Sequence, residues 1–274
     1  MSAAGTVALV TEGGDRRVRM TVAYDGAPFR GFAVNEGVRT VLGELVVAVQ
    51  TVVRRPVALI GAGRTDAGVH AWGQVVSSDL PADIDLDDLV RRLNKLCAPA
   101  ISVRAARWVE DDFDARFSAT WREYRYDVWN APTPNPLLGG RAWFVAQPLA
   151  VWAMQAACDP LIGEHDFASF CRRPKVPDGE PEPSLVRRVL AAGWSDVGGA
   201  EHLRFTIRAN AFCHQMVRSI VGTLVDVGLG RFTPGDVRGI LVARTREAAG
   251  RVAPPQGLVL WEVGYADPVS AAPQ

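Results

Sequence analysis

The amino-acid sequence predicts an α/β (α+β) fold built from two halves, each with the element order β-α-β-β-α-β. Three observations carry this. Short alternating or apolar runs bounded by Gly, Pro and Asp mark strands. Longer segments between them carry apolar residues at helical spacing. The order of the two kinds of segment in residues 16–112 recurs, more loosely, in residues 113–274.

In the first half, Val18 to Tyr24 alternates and reads as a strand that Asp25-Gly26 ends. Thr40 to Val53 has Val41, Leu45, Val49 and Val52 at helical spacing, with Thr40 as N-cap. Val57 to Ile60 and Gly73 to Ser77 are strand-like. Leu86, Leu89, Leu93 and Leu96 mark a second helix. Asp85, Asp87 and Asp88 open it and Arg91, Arg92 and Lys95 close it, the polarity that the helix dipole favours. A strand from Ile101 to Val109 completes a split ferredoxin-like unit. In the second half, Arg122 to Trp129 alternates, with Tyr124, Tyr126 and Val128 on one face. A helix is expected over Leu149 to Leu161, strands over Val186 to Trp194 and Leu203 to Ala209, and a helix with Met216, Val217, Ile220 and Leu224 on one face. A short helix after Pro234 and a strand from Leu258 to Tyr265 end the unit. The halves should meet near Asp112, with a cleft between them. Two Pro-rich inserts, Asn130 to Arg141 and Arg173 to Pro183, read as surface loops, and Met1 to Asp15 as a disordered leader.

The 274 residues carry 30 basic and 30 acidic side chains, so no overall basic excess points to nucleic acid, and an RNA partner must be met by a local patch. Lys95 and Lys175 are the only lysines; the remaining basic residues are arginines, which suit bidentate phosphate contacts. The cysteines Cys97, Cys158, Cys171 and Cys213 are scattered without zinc spacing. Three sit in apolar surroundings and read as buried thiols; Cys171 carries no such clear reading. The N-terminus lacks the basic end of a signal peptide, and no stretch is long enough to span a bilayer. A reduced, cytoplasmic protein is expected.

The candidate site is the run Gly63-Arg64-Thr65-Asp66-Ala67-Gly68-Val69-His70-Ala71, set between two strand-like segments. Gly61-Ala62-Gly63 fails as a dinucleotide fingerprint, because no third glycine follows and the next element is a strand. Asp66 and His70 as a metal pair lack a third ligand nearby. An Asp in such a loop also serves as a turn cap. A catalytic role gains from Arg64, two residues away, and from Arg218 in the segment Ala211-Phe212-Cys213-His214-Gln215-Met216-Val217-Arg218, since an arginine favours the charged form of a carboxylate. A charged carboxylate can act as nucleophile, base or partner of a cation at a sugar C1′. Tyr124 could be core, or could stack on a flipped base.

These residues resemble the TruA family of bacterial tRNA pseudouridine synthases. Gly63 to Ala71 with Gly73-Gln74-Val75 matches the family's catalytic loop. Asp112-Phe113, Ala115 to Ala119, Arg122, Tyr124 and Tyr126 match a second motif, and Gly163, Asp166-Phe167 and Ser169-Phe170 a third. Ala211-Phe212, Met216 to Arg218, Gly222, Ala253-Pro254 and Gly257-Leu258 complete the set, in order, over Val18 to Tyr265. The resemblance implies a continuous, mostly antiparallel sheet with a central cleft, and isomerisation of uridine to pseudouridine in the tRNA anticodon stem-loop. It also implies a homodimer without cofactor or metal. Asp66 corresponds to the catalytic aspartate, Arg218 to its arginine partner and Arg64 to an arginine that handles the flipped nucleotide. Tyr124 corresponds to the tyrosine that packs on uracil; Thr65, Gly68, His70 and Leu258 fall among the substrate-binding positions.

The chain departs from the family pattern at Gly31-Phe32-Ala33-Val34-Asn35, at Leu42 and at Asn94 to Ile101. These segments are expected to touch tRNA, so they bear on which uridines are chosen. Two other readings compete: an RNA-binding homologue without catalysis, and a hydrolytic N-ribosidase.

Overall fold

The computed structural model describes residues 14–173, 176 and 182–266. The leader lies outside the described residues up to position 13, and so does most of the Arg173 to Pro183 insert. Among the described residues, ten strands form one sheet. The first half supplies β1 (Asp15–Tyr24), α1 (Val41–Val53), β2 (Ile60–Gly61), β3 (His70–Pro81), α2 (Leu86–Cys97) and β4 (Ile101–Trp108). The second supplies β5 (Ala119–Asn130), β6 (Trp143–Val145), α3 (Val151–Ala156), β7 (Gly163–Asp166), β8 (Val186–Asp196) and β9 (His202–Ala209). It ends with α4 (Met216–Gly228), α5 (Asp236–Ala243) and β10 (Leu258–Tyr265).

The sheet runs β4-β1-β3-β10-β5-β9-β8-β7, with β2 beside β3 and β6 beside β5. Within each half the order is fourth, first, third, second: β4-β1-β3-β2, then β10-β5-β9-β8. The halves join where β10 lies parallel to the start of β3, with Val259 opposite His70 and Leu260 opposite Ala71. The far end of β3 pairs instead with β2, Ile60 opposite Ser77. Thus β3 changes partner along its length, and the loop from β2 to β3 opens at that seam. Val18, Met20 and Val22 alternate with more exposed Arg17, Arg19 and Thr21, and join Leu45, Val49, Leu89 and Leu93 in the core. The same core continues through Tyr126, Val128, Phe205 and Ile207 of the second half.

Several elements differ from the sequence expectation. The strand expected over Val57 to Ile60 shrinks to Ile60–Gly61, because the Ala58 carbonyl is taken by the Ser78 hydroxyl at 2.8 Å instead of a ladder partner. The helix expected over Leu149 to Leu161 is only Val151–Ala156, followed by a 3-10 turn at Asp159–Leu161. Pro160 has no N–H to continue the α-helical ladder. The strand at Gly73 to Ser77 extends to His70–Pro81. The short strands β6 and β7 were not expected. Cys213, expected to be buried, is only partly so, and Cys171, which carried no clear expectation, is buried.

Candidate active site

The Gly61 to Val69 loop is held from beneath. The Gly26 N–H donates to His70 Nδ1 at 3.1 Å, and the Phe32 N–H to the Thr65 carbonyl at 3.1 Å. Thr65 and Tyr24 share a hydroxyl hydrogen bond of 2.7 Å. Gln74 Nε2 donates to the Gly63 carbonyl at 2.8 Å, and Arg122 of β5 to the Ala62 carbonyl at 3.1 Å. A Cβ at Gly26 would sit 2.0 Å from the Val69 carbonyl oxygen, so only glycine allows this approach. Gly68 has φ +78, a left-handed turn that releases the chain into β3.

On this base Asp66 projects toward the second half. Its Oδ2 accepts from Arg218 Nη1 at 2.9 Å, joining residues 152 positions apart. The Asp66 side chain is 24% exposed and the Arg218 side chain 14%. Arg218 is itself fixed: its Nε donates to the Ala253 carbonyl at 2.8 Å, and the Ala253 N–H returns a bond to the Arg218 carbonyl at 3.0 Å. Every residue of α4 except Arg218 is buried. The only side chain of this enclosed helix that is not buried is therefore the one that meets the carboxylate. A charge-assisted bond of this kind is short and directional.

Sequence reasoning missed His214. Its Nε2 lies 3.3 Å from Asp66 Oδ1, on the oxygen that Arg218 leaves free, and its side chain is 49% exposed. Gln215 follows with φ 64, unusual for a residue other than glycine, and turns the chain into α4. Helical spacing offered no signal for it, because the left-handed Gln215 sets His214 outside α4. Gln74 and Arg122 were present in the quoted motifs without an assigned task; here they hold the loop.

Tyr124 stands on β5 with its ring edge-on to Phe212, centroids 5.0 Å apart. It is buried, which raises its hydroxyl pKa, and the charge of Asp66 adds to the same effect. Arg64 is exposed on the loop, and Thr65 is buried beneath it. Leu258 is buried at the start of β10. The His70 ring is buried: Nδ1 accepts from the Gly26 N–H, and Nε2 lies 3.2 and 3.1 Å from the Gly140 and Gln256 carbonyls. The ring ties three backbone segments together. Phe32 is likewise buried, stacked on Tyr24 at 6.1 Å, so this departure from the family pattern packs beneath the loop. Val34 and Asn35 beyond it are exposed.

Among the described residues, no group of three or more His, Cys, Asp and Glu could hold a metal, and no helix is long and apolar enough to cross a membrane. Residues 157–266 match the family described as tRNA pseudouridine synthase. A tRNA pseudouridine synthase A from Bacillus licheniformis is 41% identical over 252 residues, spanning 91% of this chain and 99% of the relative. That of Caulobacter is 43% identical over 251 residues, spanning 91% and 98%. That of Bacillus subtilis is 40% identical over 252 residues, spanning 91% and 99%. With identity of this order over nearly the whole of both chains, and a two-half sheet that brings a loop aspartate against an enclosed arginine, the chain belongs to the tRNA pseudouridine synthases, a family of isomerases.

Proposed function

We propose that this enzyme isomerises uridine in the anticodon stem-loop of tRNA, in the cytoplasm, as a homodimer, with Asp66 as the catalytic carboxylate. The observation that carries the reading is the Asp66–Arg218 bond between the halves. It leaves the other carboxylate oxygen beside His214 Nε2, on a half-exposed side chain. The reaction must break the C1′–N1 bond, turn the uracil, join C5 to C1′ and release the C5 proton. Atoms are conserved, so no redox group is required. The carboxylate can serve either by adding to C1′ or by taking the 2′ proton. Arg218 fixes the angle of Asp66 in both cases. Tyr124 offers a ring for the uracil, and exposed Arg64 a cation for the phosphate of the flipped nucleotide. Thr65, Gly68 and Leu258 shape the wall around them.

Extruding the base costs a few kcal/mol, which phosphate contacts by the arginines must offset. The test is mass-spectrometric mapping of pseudouridine in tRNA treated with the purified enzyme. Pseudouridine confined to the anticodon stem-loop is expected; its appearance only elsewhere would overturn the choice of site, and release of free uracil would identify a ribosidase. Sedimentation at micromolar concentration should give twice the chain mass, and a monomer would refute the dimer.

A further inference from the structure

Once C5 has joined C1′, the C5 proton must leave, and it sits on the carbon bonded to the one that Asp66 serves. The group that takes it must therefore stand beside Asp66. Among the described residues, the basic side chains in contact with the Asp66 oxygens are Arg218, 2.9 Å from Oδ2, and His214, with Nε2 3.3 Å from Oδ1. A guanidinium stays protonated and has no lone pair to offer. Tyr124 stays a neutral phenol, since burial and the Asp66 charge both oppose its ionisation. A neutral imidazole keeps one nitrogen with a free lone pair. The carboxylate beside Nε2 favours the tautomer protonated there, which leaves the lone pair on Nδ1. The His214 side chain is 49% exposed, open both to substrate and to the water that must carry the proton away. Its backbone is held. The Arg172 N–H donates to the His214 carbonyl at 3.0 Å, and the Met216 N–H to the Cys213 carbonyl at 3.1 Å, closing the turn that contains left-handed Gln215. Arg122 donates to the Asn210 carbonyl at 2.8 Å and to the Ala62 carbonyl at 3.1 Å, so one guanidinium ties the approach to His214 to the loop that carries Asp66. A group positioned in advance spares the reaction the entropy of bringing it there.

We propose that His214 is the general base that takes the C5 proton after C5 has bonded to C1′. The Nδ1 lone pair accepts the proton. The electron pair of the C5–H bond becomes the C5=C6 double bond, and the C6=N1 pair withdraws onto N1, which takes a proton from water. The imidazolium then returns its proton to solvent. One proton leaves the base and one is gained, no electrons are transferred, and the histidine ends neutral. While the ring is charged, the Asp66 carboxylate at 3.3 Å stabilises it, as the carboxylate of a hydrolase triad stabilises its imidazolium. Asp66 itself is the rival acceptor, and a carboxylate holds a proton less tightly than an imidazole does. The pair divides the work: Asp66 serves the sugar carbon, and His214 serves the uracil carbon that joins it.

This role rests on the reading of Asp66 as the catalytic carboxylate. Single-turnover pseudouridine formation is timed on tRNA carrying uridine with hydrogen or deuterium at C5. His214→Gln should slow the reaction roughly 10²-fold, within the range for loss of a general base, and keep its tRNA affinity in a gel shift. Deuterium should slow this variant several-fold more than it slows the wild type, because C5–H cleavage has become limiting. Imidazole added to His214→Ala should restore part of the rate and shrink the deuterium effect. A near wild-type rate for His214→Gln, or a slower rate with the wild-type deuterium ratio, would reduce His214 to a contact on Asp66 and overturn the proposal. The two readings fail separately. An active Asp66→Asn removes the carboxylate from the chemistry, whereas an inactive Asp66→Asn beside an unchanged deuterium ratio in His214→Gln removes only the histidine.

Discussion

In the first half of the molecule, the connection from β2 to β3 runs through Gly61 to Val69 and carries Asp66; in the second half, the equivalent connection from β8 to β9 is the short turn at residues 197–201. The helices differ in the opposite sense. First-half α2 buries Leu89, Leu93 and Cys97 and leaves Arg91 and Arg92 exposed, whereas second-half α4 is enclosed on all sides apart from Arg218. The strand order is the same in both. Topology therefore does not locate the chemistry. A longer loop over a shortened strand presents the carboxylate, and an enclosed helix presents its cationic partner, held by the Ala253 carbonyl. The parallel seam between β3 and β10 brings the two together.

That division of labour can be broken from either side. On the helix, Arg218→Ala should lower tritium release roughly 10²-fold, as loss of a preorganised charged donor does. Arg218→Lys should recover little, because a lysine cannot reach both the Ala253 carbonyl and Asp66 as the guanidinium does. Recovery to near wild-type rate would mean that charge alone is needed. On the strand, Tyr124→Ala should cost about 3–4 kcal/mol in a denaturant melt, in the range for loss of a buried aromatic ring, and also slow turnover. Tyr124→Phe keeps the ring against Phe212 and should retain most of the stability. Equal losses for the two variants would shift the role from ring to hydroxyl.

The smallest effect concerns the anchor below the loop. Burial, then the charge of Arg141, lowers the His70 pKa below its ordinary value. Between that lowered value and about 6.5, the unfolded imidazole takes a proton that the folded one does not. The stability associated with neutral His70 is therefore complete above about pH 6.5 and declines as the pH falls toward the folded pKa. Melting temperatures measured from about pH 8 to about pH 5 should drop more steeply for the wild type than for His70→Asn. Parallel slopes would remove His70 from the account of acid lability.

Much of this was legible in the sequence, for identifiable reasons. Tyr124, Tyr126 and Val128 follow the period of two that a half-buried strand imposes, and all three are buried on one face. Thr40 and Asp85 cap their helices as their side-chain chemistry predicts. The shortened β2 and α3 were not legible, because a side-chain bond from Ser78 and the proline at 160 override local periodicity. The Asp66–Arg218 pairing spans 152 positions, which no spacing rule covers; the family motifs brought the two residues together. His214 was hidden because its tie to Asp66 depends on the left-handed turn at Gln215. The burial of Phe32 was not legible, because an aromatic near a loop does not reveal which side of it the ring occupies.

The central claim is that Asp66, held by Arg218 across the seam, performs the chemistry. Its most direct test is a C5-tritium release assay on tRNA with Asp66→Asn, at saturating enzyme and with circular dichroism and gel-shift controls for folding and tRNA binding. The account predicts a folded protein that still binds tRNA and releases tritium roughly 10³-fold more slowly or not measurably, the scale of removing a nucleophile or base. Release at near wild-type rate from the folded variant would contradict it.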